Sequence, residues 1–161
     1  MGQGGTFKMK RNPMDLAQAF ESLVRSEFSF LEEELGFKFS GTEVHIPEIW
    51  STFRGSNASV VITLEMGAPP WVEIAFPDPT PDFMGAVVRS SVGVLLDLVA
   101  PGVRGGVPAI ERVGDPRLQE VLHQHAAALR QYGSPVLLGD SDLRARLRQR
   151  QRELAADLDL A

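Results

Sequence analysis

The sequence predicts an α+β fold with an N-terminal helix, an antiparallel meander of about four strands, and two or three C-terminal helices. Three observations predict it. An apolar stripe spaced at three and four residues runs from Asn12 to Gly36, polar and apolar residues alternate between positions 38 and 76, and helical patterns return after residue 83. With 161 residues, 43% of them hydrophobic, the chain fits one domain over residues 12–161, and we expect residues 1–11 to be a flexible segment.

The first helix has a start signal, an apolar stripe and a stop signal. Asn12 can accept a hydrogen bond from the free N–H groups of the first turn, and Pro13 suits the first helical position. Gly36 offers the positive φ that commonly follows a helix. We therefore predict one continuous helix that packs on the meander. Its apolar stripe consists of Leu16, Phe20, Leu23, Val24, Phe28, Leu31 and Leu35.

The segment that follows contains four extended runs separated by turn residues. In the first run, Thr42 and Val44 alternate with Glu43 and His45, which is the period of a half-buried strand. An antiparallel meander with this alternation has one covered and one wet face. The four predicted strands are Lys38 to Pro47, Ile49 to Arg54, Ala58 to Met66 and Trp71 to Phe76.

The C-terminal half alternates helical patterns with one long loop. Phe83 to Val99 is apolar at helical spacing, and Pro101 to Gly114 is rich in Gly and Pro, so we expect a buried helix and then a loop that is free to vary. Asp115 and Pro116 start a helix that Gly133 closes. A final helix begins near Asp140. It carries a leucine stripe of Leu143, Leu147, Leu154 and Leu158 beside a basic ridge of Arg144, Arg148 and Arg152.

Composition excludes several classes of protein. There is no cysteine, so disulfides, thiolate metal sites and thiol catalysis are excluded. The net charge of −5 argues against nucleic acid as a ligand. No apolar run reaches the roughly 20 residues of a membrane span, and no signal-peptide pattern opens the chain. We therefore expect a cytoplasmic protein that has no cofactor, no metal and no membrane partner.

Polar and aromatic side chains on the strands define the candidate site. His45 shares a strand face with Glu43, and a histidine beside carboxylates can serve as a general base or a metal ligand. The same residues suit a solvated, partner-binding face, which we favour, and a tryptophan exposed on a sheet is a natural interface anchor. We assign no catalytic and no metal residue. The candidate partner-binding residues are Glu43, His45, Arg54, Glu65, Trp71 and Glu73.

Other motifs do not support a chemical site. His123 and His125 are two residues apart on a helix and point in different directions, so they cannot share an ion. The glycines at 102, 105 and 106 lack the Lys-Ser/Thr ending of a phosphate loop. The arginines between Arg144 and Arg152 are most simply a solvated helix face; they could also hold phosphates, an acidic partner or a second copy of the chain.

The C-terminal third resembles a family. A helix with Ala128, Leu129 and Tyr132 near its end, then Leu137-Leu138, Gly139-Asp140 and a last helix, resembles a set of small bacterial proteins. Some of that set look like immunity proteins, which bind and neutralise a toxin encoded beside them. Many also have an N-terminal F-x-F-L…GF pattern, which matches Phe28, Phe30, Leu31, Gly36 and Phe37 here. The long Pro/Gly loop and the arginine-rich end depart from that pattern.

The resemblance implies a non-enzymatic protein-binding module, with a toxin as its partner. Two alternatives come from the residues themselves. One is a small enzyme whose site lies between the exposed sheet face, around Glu43, His45 and Glu73, and the 101–114 loop. The other is a structural subunit that forms homo-oligomers through the helix carrying Arg144 to Arg152.

Overall fold

A computed structural model describes residues 13–80 and 86–159 of the chain. The segment 1–11, for which flexibility is expected, and the predicted cap Asn12 lie outside the described residues. The predicted α+β class is confirmed: an N-terminal helical region, an antiparallel sheet and C-terminal helices follow one another along the chain. Within the described residues, no helix has both the length and the apolar character that a membrane crossing requires.

The predicted N-terminal helix is interrupted. α1 spans Pro13–Glu27, a turn follows at residues 28 and 29, and α2 spans Phe30–Glu33. In a continuous helix, Phe28 and Phe30 would point about 200° apart, so one of them would face water. The turn allows both rings to be buried, with 0% and 5% exposure. Gly36 has a φ of 73°, as expected for the residue that follows the helical region.

The sheet has five strands, one more than predicted. They are β1 Lys38–His45, β2 Glu48–Arg54, β3 Ser59–Glu65, β4 Trp71–Pro77 and β5 Val87–Ser91. Their order is β1-β2-β3-β4-β5, and each neighbouring pair is antiparallel, so the predicted meander is confirmed. A bulge in β1, where Gly41 has a φ of 128°, adjusts the register against β2.

The fifth strand comes from the segment for which the sequence predicts a helix, Phe83 to Val99, of which positions 83–85 lie outside the described residues. Residues 87–91 of this segment form β5 and pair with β4, with Val88 opposite Phe76 and Ser90 opposite Ile74. Helix α3, Val92–Val99, then begins directly. Ser91 makes the transition, because its backbone is extended and its Oγ accepts a hydrogen bond from the N–H of Val94 at 3.2 Å.

Three further helices complete the cover of the sheet. α4 spans Pro116–Ala128, and Asp115 caps it as predicted, accepting from the N–H of Arg117 at 2.9 Å. The predicted helix end at Gly133 is wrong, because the helical path continues. A π-helical turn over residues 129–133 leads into α5, Ser134–Leu137. α6 spans Ser141–Asp159. Residues 101–109 have no regular structure, as expected, while the bridge between Ala68 and Ile110 ties the end of the long loop to the β3–β4 turn.

The hydrophobic core lies between these helices and one face of the sheet. That face carries Ile49 and Phe53 of β2, Ile62 of β3 and Ile74 of β4, each with no exposed surface. Phe20 and Val24 of α1 and Leu118 and Leu122 of α4 are equally buried and belong to the same cluster. The described helices that contribute to this cluster therefore lie on one side of the sheet, opposite to the face that carries the alternate residues of each strand.

Candidate functional site on the open face of the sheet

The open face is the side of the sheet that faces away from the helical core. Strand register defines it, because residues paired across antiparallel strands share a face. Along β2, Ile49, Ser51 and Phe53 are buried in the core, whereas the alternate residues Glu48, Trp50, Thr52 and Arg54 are half-buried or exposed. The remaining strands continue this division. The sequence prediction of one covered face and one wet face is confirmed.

All six predicted partner-binding residues lie on the open face. The pairings place Glu43 opposite Trp50, Trp50 opposite Thr63, and Thr63 opposite Trp71, in one row across four strands. The next row toward one end contains His45, Glu48 and Glu65. On the other side of the tryptophan row, Glu73 lies opposite Val61. Arg54 lies at the far end, opposite Lys38 and Ser59.

The two tryptophans of the chain are the centre of this surface. They flank Thr63, which is only 4% exposed although it lies on the open face. Trp50 is held in place on two sides: its Nε1 donates to Glu48 Oε2 at 2.8 Å, and its ring lies 4.5 Å from the ring of His45 at an angle of 35°. Both indoles remain partly exposed. Two partly exposed indoles, of which Trp50 is held in place, suit an interface anchor.

Charge on the open face is separated into two ends. The end with His45 carries three carboxylates, those of Glu43, Glu48 and Glu65. The other end carries the cations Lys38, Arg54 and Arg89; of these, Arg54 donates to Ser40 Oγ at 3.0 Å, and Arg89 pairs with Glu73 at 3.2 Å. The surface is thus dipolar, and only one of its ends is acidic.

His45 and Glu43 form an exposed pair at the edge of the sheet. The Nε2 of His45 lies 3.1 Å from Glu43 Oε2, and the side chains of the two residues are 54% and 68% exposed. Among the described residues, no group of three His, Asp or Glu side chains is placed to hold a metal ion. An exposed pair on an edge strand suits recognition by charge and hydrogen bonding.

A cavity of about 860 Å³, which the sequence does not reveal, lies beside the open face. It is walled by the start of β4, the junction of β5 and α3, loop residues 103–107, and one side of α4 with the π-helical turn. Trp71 alone among the six candidate residues lines it. Glu43, His45 and Glu73, which the enzyme hypothesis combines with the 101–114 loop, are not brought into it.

The basic ridge of α6 makes intramolecular contacts. Arg144 donates to Val136 O at 2.8 Å and lies over the ring of Phe76, 5.0 Å from its centroid. Arg148 and Arg152 lie 4.0 and 3.1 Å from the carboxylate of Asp78, whose side chain is 7% exposed. These arginines hold α6 against the end of β4. This arrangement explains the ridge by packing and does not require a phosphate or a second copy.

The histidines of α4 are also separated as predicted. His123 Nδ1 lies 2.8 Å from Glu27 Oε2 and joins α4 to α1. His125 Nδ1 lies 2.8 Å from Val121 O, and the residue lines the cavity.

Comparisons of the chain with protein-family models, with curated proteins and with solved structures found no match.

Proposed function

We propose that the protein is a non-enzymatic binding module that recognises another protein through the open face of its sheet. One observation carries the proposal: two partly exposed tryptophans, one of them held by Glu48 and His45, lie at the centre of the open face, with acidic and basic groups at opposite ends. Aromatic anchors surrounded by polar residues are the usual composition of protein interfaces. Opposite charges at two ends would fix the orientation of a partner.

The acidic end supports the proposal through its own energetics. Glu48 and Glu65 are directly opposite each other on β2 and β3. Like charges in that position destabilise a sheet. A basic side chain from a partner would relieve the repulsion. The acidic end therefore costs stability in the free chain and gains it when a partner binds. A partner with a basic patch facing Glu65 and an aromatic or apolar contact for Trp71 fits the surface.

More specifically, we propose that the partner is a toxin, as it is for immunity proteins. The protein would act by covering the toxin's functional surface. The test uses the product of the reading frame adjacent to this gene. We expect that product to arrest growth when expressed alone, this protein to restore growth, and the purified pair to form a complex. An adjacent product that is neither toxic nor bound would refute the immunity form.

The surface is tested in the same complex by calorimetry. Trp71→Ala and Glu65→Lys should each weaken binding about tenfold or more, as truncation of an interface anchor does. Glu120→Lys, the same charge change at an exposed position of α4, should leave binding unchanged. Because both tryptophans lie on the open face, complex formation should also protect their fluorescence from acrylamide. Binding that is unaffected by both open-face variants would exclude this face as the interface.

A further inference from the structure

The cavity beside the open face has the size and lining of a small-molecule site. Its volume of about 860 Å³ is within the range of roughly 300–1,000 Å³ that such sites occupy. Most of its lining is apolar, with contributions from Pro70, Trp71, Val92, Leu96 and Val107. None of the described residues that line it carries a carboxylate, and the charge of its one cationic lining residue, Arg104, is paired with Asp97 at 3.0 Å. The cavity therefore favours an uncharged, largely apolar molecule.

His125 supplies an oriented polar group in this cavity. A backbone carbonyl can only accept, so the contact of Nδ1 with Val121 O places the imidazole hydrogen on Nδ1. Nε2 is then an acceptor, and it has no hydrogen-bond partner among the described residues. Burial lowers the pKa of His125, an effect that outweighs the hydrogen bond to Val121, so the ring is neutral at pH 7. A neutral acceptor in an apolar cavity selects a ligand that has a donor.

Three more of the polar side chains that line the cavity belong to α4 and the π-helical turn. The side chains of Gln124, Gln131 and Tyr132 make no hydrogen bond within the part of the chain that the structure describes, and all three line the cavity with His125. These groups come from α4 and the π-helical turn, which pack in the core through Leu122 and Leu129. The polar wall is therefore held on a rigid support, as a preformed site requires.

The opposite wall is a loop that the side chain of Arg104 fastens to α3. Arg104 pairs with Asp97 at 3.0 Å, and its guanidinium lies so close to Gly93 that a Cβ there would be 2.7 Å from Cζ. Glycines at 102, 105 and 106 lie on either side of Arg104. Val103, which lines the cavity, is 54% exposed. A ligand would cover this apolar side chain, and the loop can adjust around the fixed arginine.

We propose that this cavity binds a small, uncharged, largely apolar molecule whose hydroxyl or N–H group donates to Nε2 of His125. The ligand contacts the apolar side of Trp71, Leu96 and Val103. This site is separate from the protein-binding role of the open face, and of the six candidate partner-binding residues only Trp71 lines it. If no such ligand binds in the cavity, the proposed protein-binding role of the open face is unaffected.

Two matched probes test the donor requirement with the whole chain. 2-Naphthol has a hydroxyl donor, and 2-methoxynaphthalene has the same ring system without it. We expect both to shift ¹H–¹⁵N resonances of residues 68–72, 91–96 and 124–132, with 2-naphthol bound about three- to tenfold tighter, which is the effect of one hydrogen bond. No shifts in these segments, or equal affinity for the two probes, would overturn the proposal.

Variants assign the effect to residues. His125→Phe keeps a ring but removes the acceptor, so the two probes should bind with equal affinity. Gln124→Trp fills the cavity from an exposed position of α4 and should weaken both probes at least tenfold, whereas Glu120→Trp, on the same helix but outside the cavity, should change neither. A preference for 2-naphthol that persists in folded His125→Phe would exclude His125. If that variant does not fold, the wild-type probe pair still decides the donor requirement.

Discussion

The imidazole of His125 donates its Nδ1 hydrogen to the carbonyl of Val121, 2.8 Å away and one helical turn earlier. This single contact fixes both the tautomer of the ring and the direction of its free acceptor. Because the bond holds the ring partly buried against α4, burial lowers the pKa of His125, and the hydrogen bond opposes this only in part. The arrangement has a consequence for stability as well as for binding.

The free energy of unfolding should depend on pH through His125. In the unfolded chain the residue titrates near 6.5, whereas its folded pKa is lower, so between the two values the unfolded state binds more protons. Its contribution is therefore complete above pH 6.5 and decreases as the pH falls toward the folded pKa. The stability difference between wild type and His125→Gln should be larger at pH 7.5 than at pH 5. Urea unfolding followed by tryptophan fluorescence measures it; an equal difference at both pH values would contradict the prediction.

Helix α6 should depend on one leucine for its attachment. Of the predicted stripe, Leu147 is 0% exposed, Leu143 and Leu154 are half-buried, and Leu158 is 77% exposed. Leu147→Ala should lower the free energy of unfolding by about 2–5 kcal/mol, as removal of a buried leucine side chain does. Leu158→Ala makes the same change in helix composition at the surface and should stay within about 0.5 kcal/mol. Comparable losses in urea unfolding would show that α6 does not pack through Leu147.

The candidate face could be predicted from the sequence because strand alternation has a fixed period. Once Thr42 and Val44 face the core, Glu43 and His45 must face away, and the same rule places Glu73 and Trp71 opposite Ile74 and Val72. Alternation alone does not say which strands pair with each other. In the structure, short turns make each strand pair with the next one along the chain. The dipolar arrangement of charge could not be predicted, because it depends on register between strands.

The cavity, the boundary between β5 and α3, and the break after Glu27 could not be predicted from the sequence, for a different reason. Val87 to Val99 satisfies helical spacing throughout, so periodicity does not separate β5 from α3; the available signal was the paired β-branched Val87 and Val88 before the capping Ser91. The break after Glu27 depends on burying both Phe28 and Phe30. The cavity joins parts of the chain as distant as Trp71 and His125, and only tertiary packing defines it.

Asp78 should stabilise the contact between β4 and α6 in a pH-dependent way. Burial opposes its ionisation, but hydrogen bonds from Thr80 and the charges of Arg152 and Arg148 outweigh burial, so its pKa is lowered below the usual 3.8. A lowered folded pKa gives stability that is present above 3.8 and lost as the pH falls through the folded value. Asp78→Asn should therefore reduce Tm at pH 7, and the difference from wild type should narrow below about pH 4.

The matched control for Asp78 is an exposed carboxylate of α6. Asp157→Asn removes one negative charge from the same region without a buried partner, so its Tm at pH 7 should remain close to that of the wild type. Thermal unfolding followed by circular dichroism compares the three proteins. Equal effects of the two substitutions would mean that Asp78 acts through net charge alone and that the Arg148 and Arg152 contacts do not hold α6.

A methyl group at Gly93 should displace the loop without unfolding the protein. The new Cβ would meet the guanidinium of Arg104 at 2.7 Å, and a long side chain can move away more easily than the backbone of α3. The substitution also favours the helical conformation by up to about 1 kcal/mol, so we expect Tm to be unchanged or slightly higher. Amide resonances of residues 102–106 should shift in Gly93→Ala as they do in Arg104→Ala, because both changes remove the contact with Asp97. Gly105→Ala, whose Cβ would meet nothing within 4 Å, should affect only its immediate neighbours. A large loss of Tm in Gly93→Ala, or loop resonances that do not move, would show that Arg104 does not fasten the loop at this point.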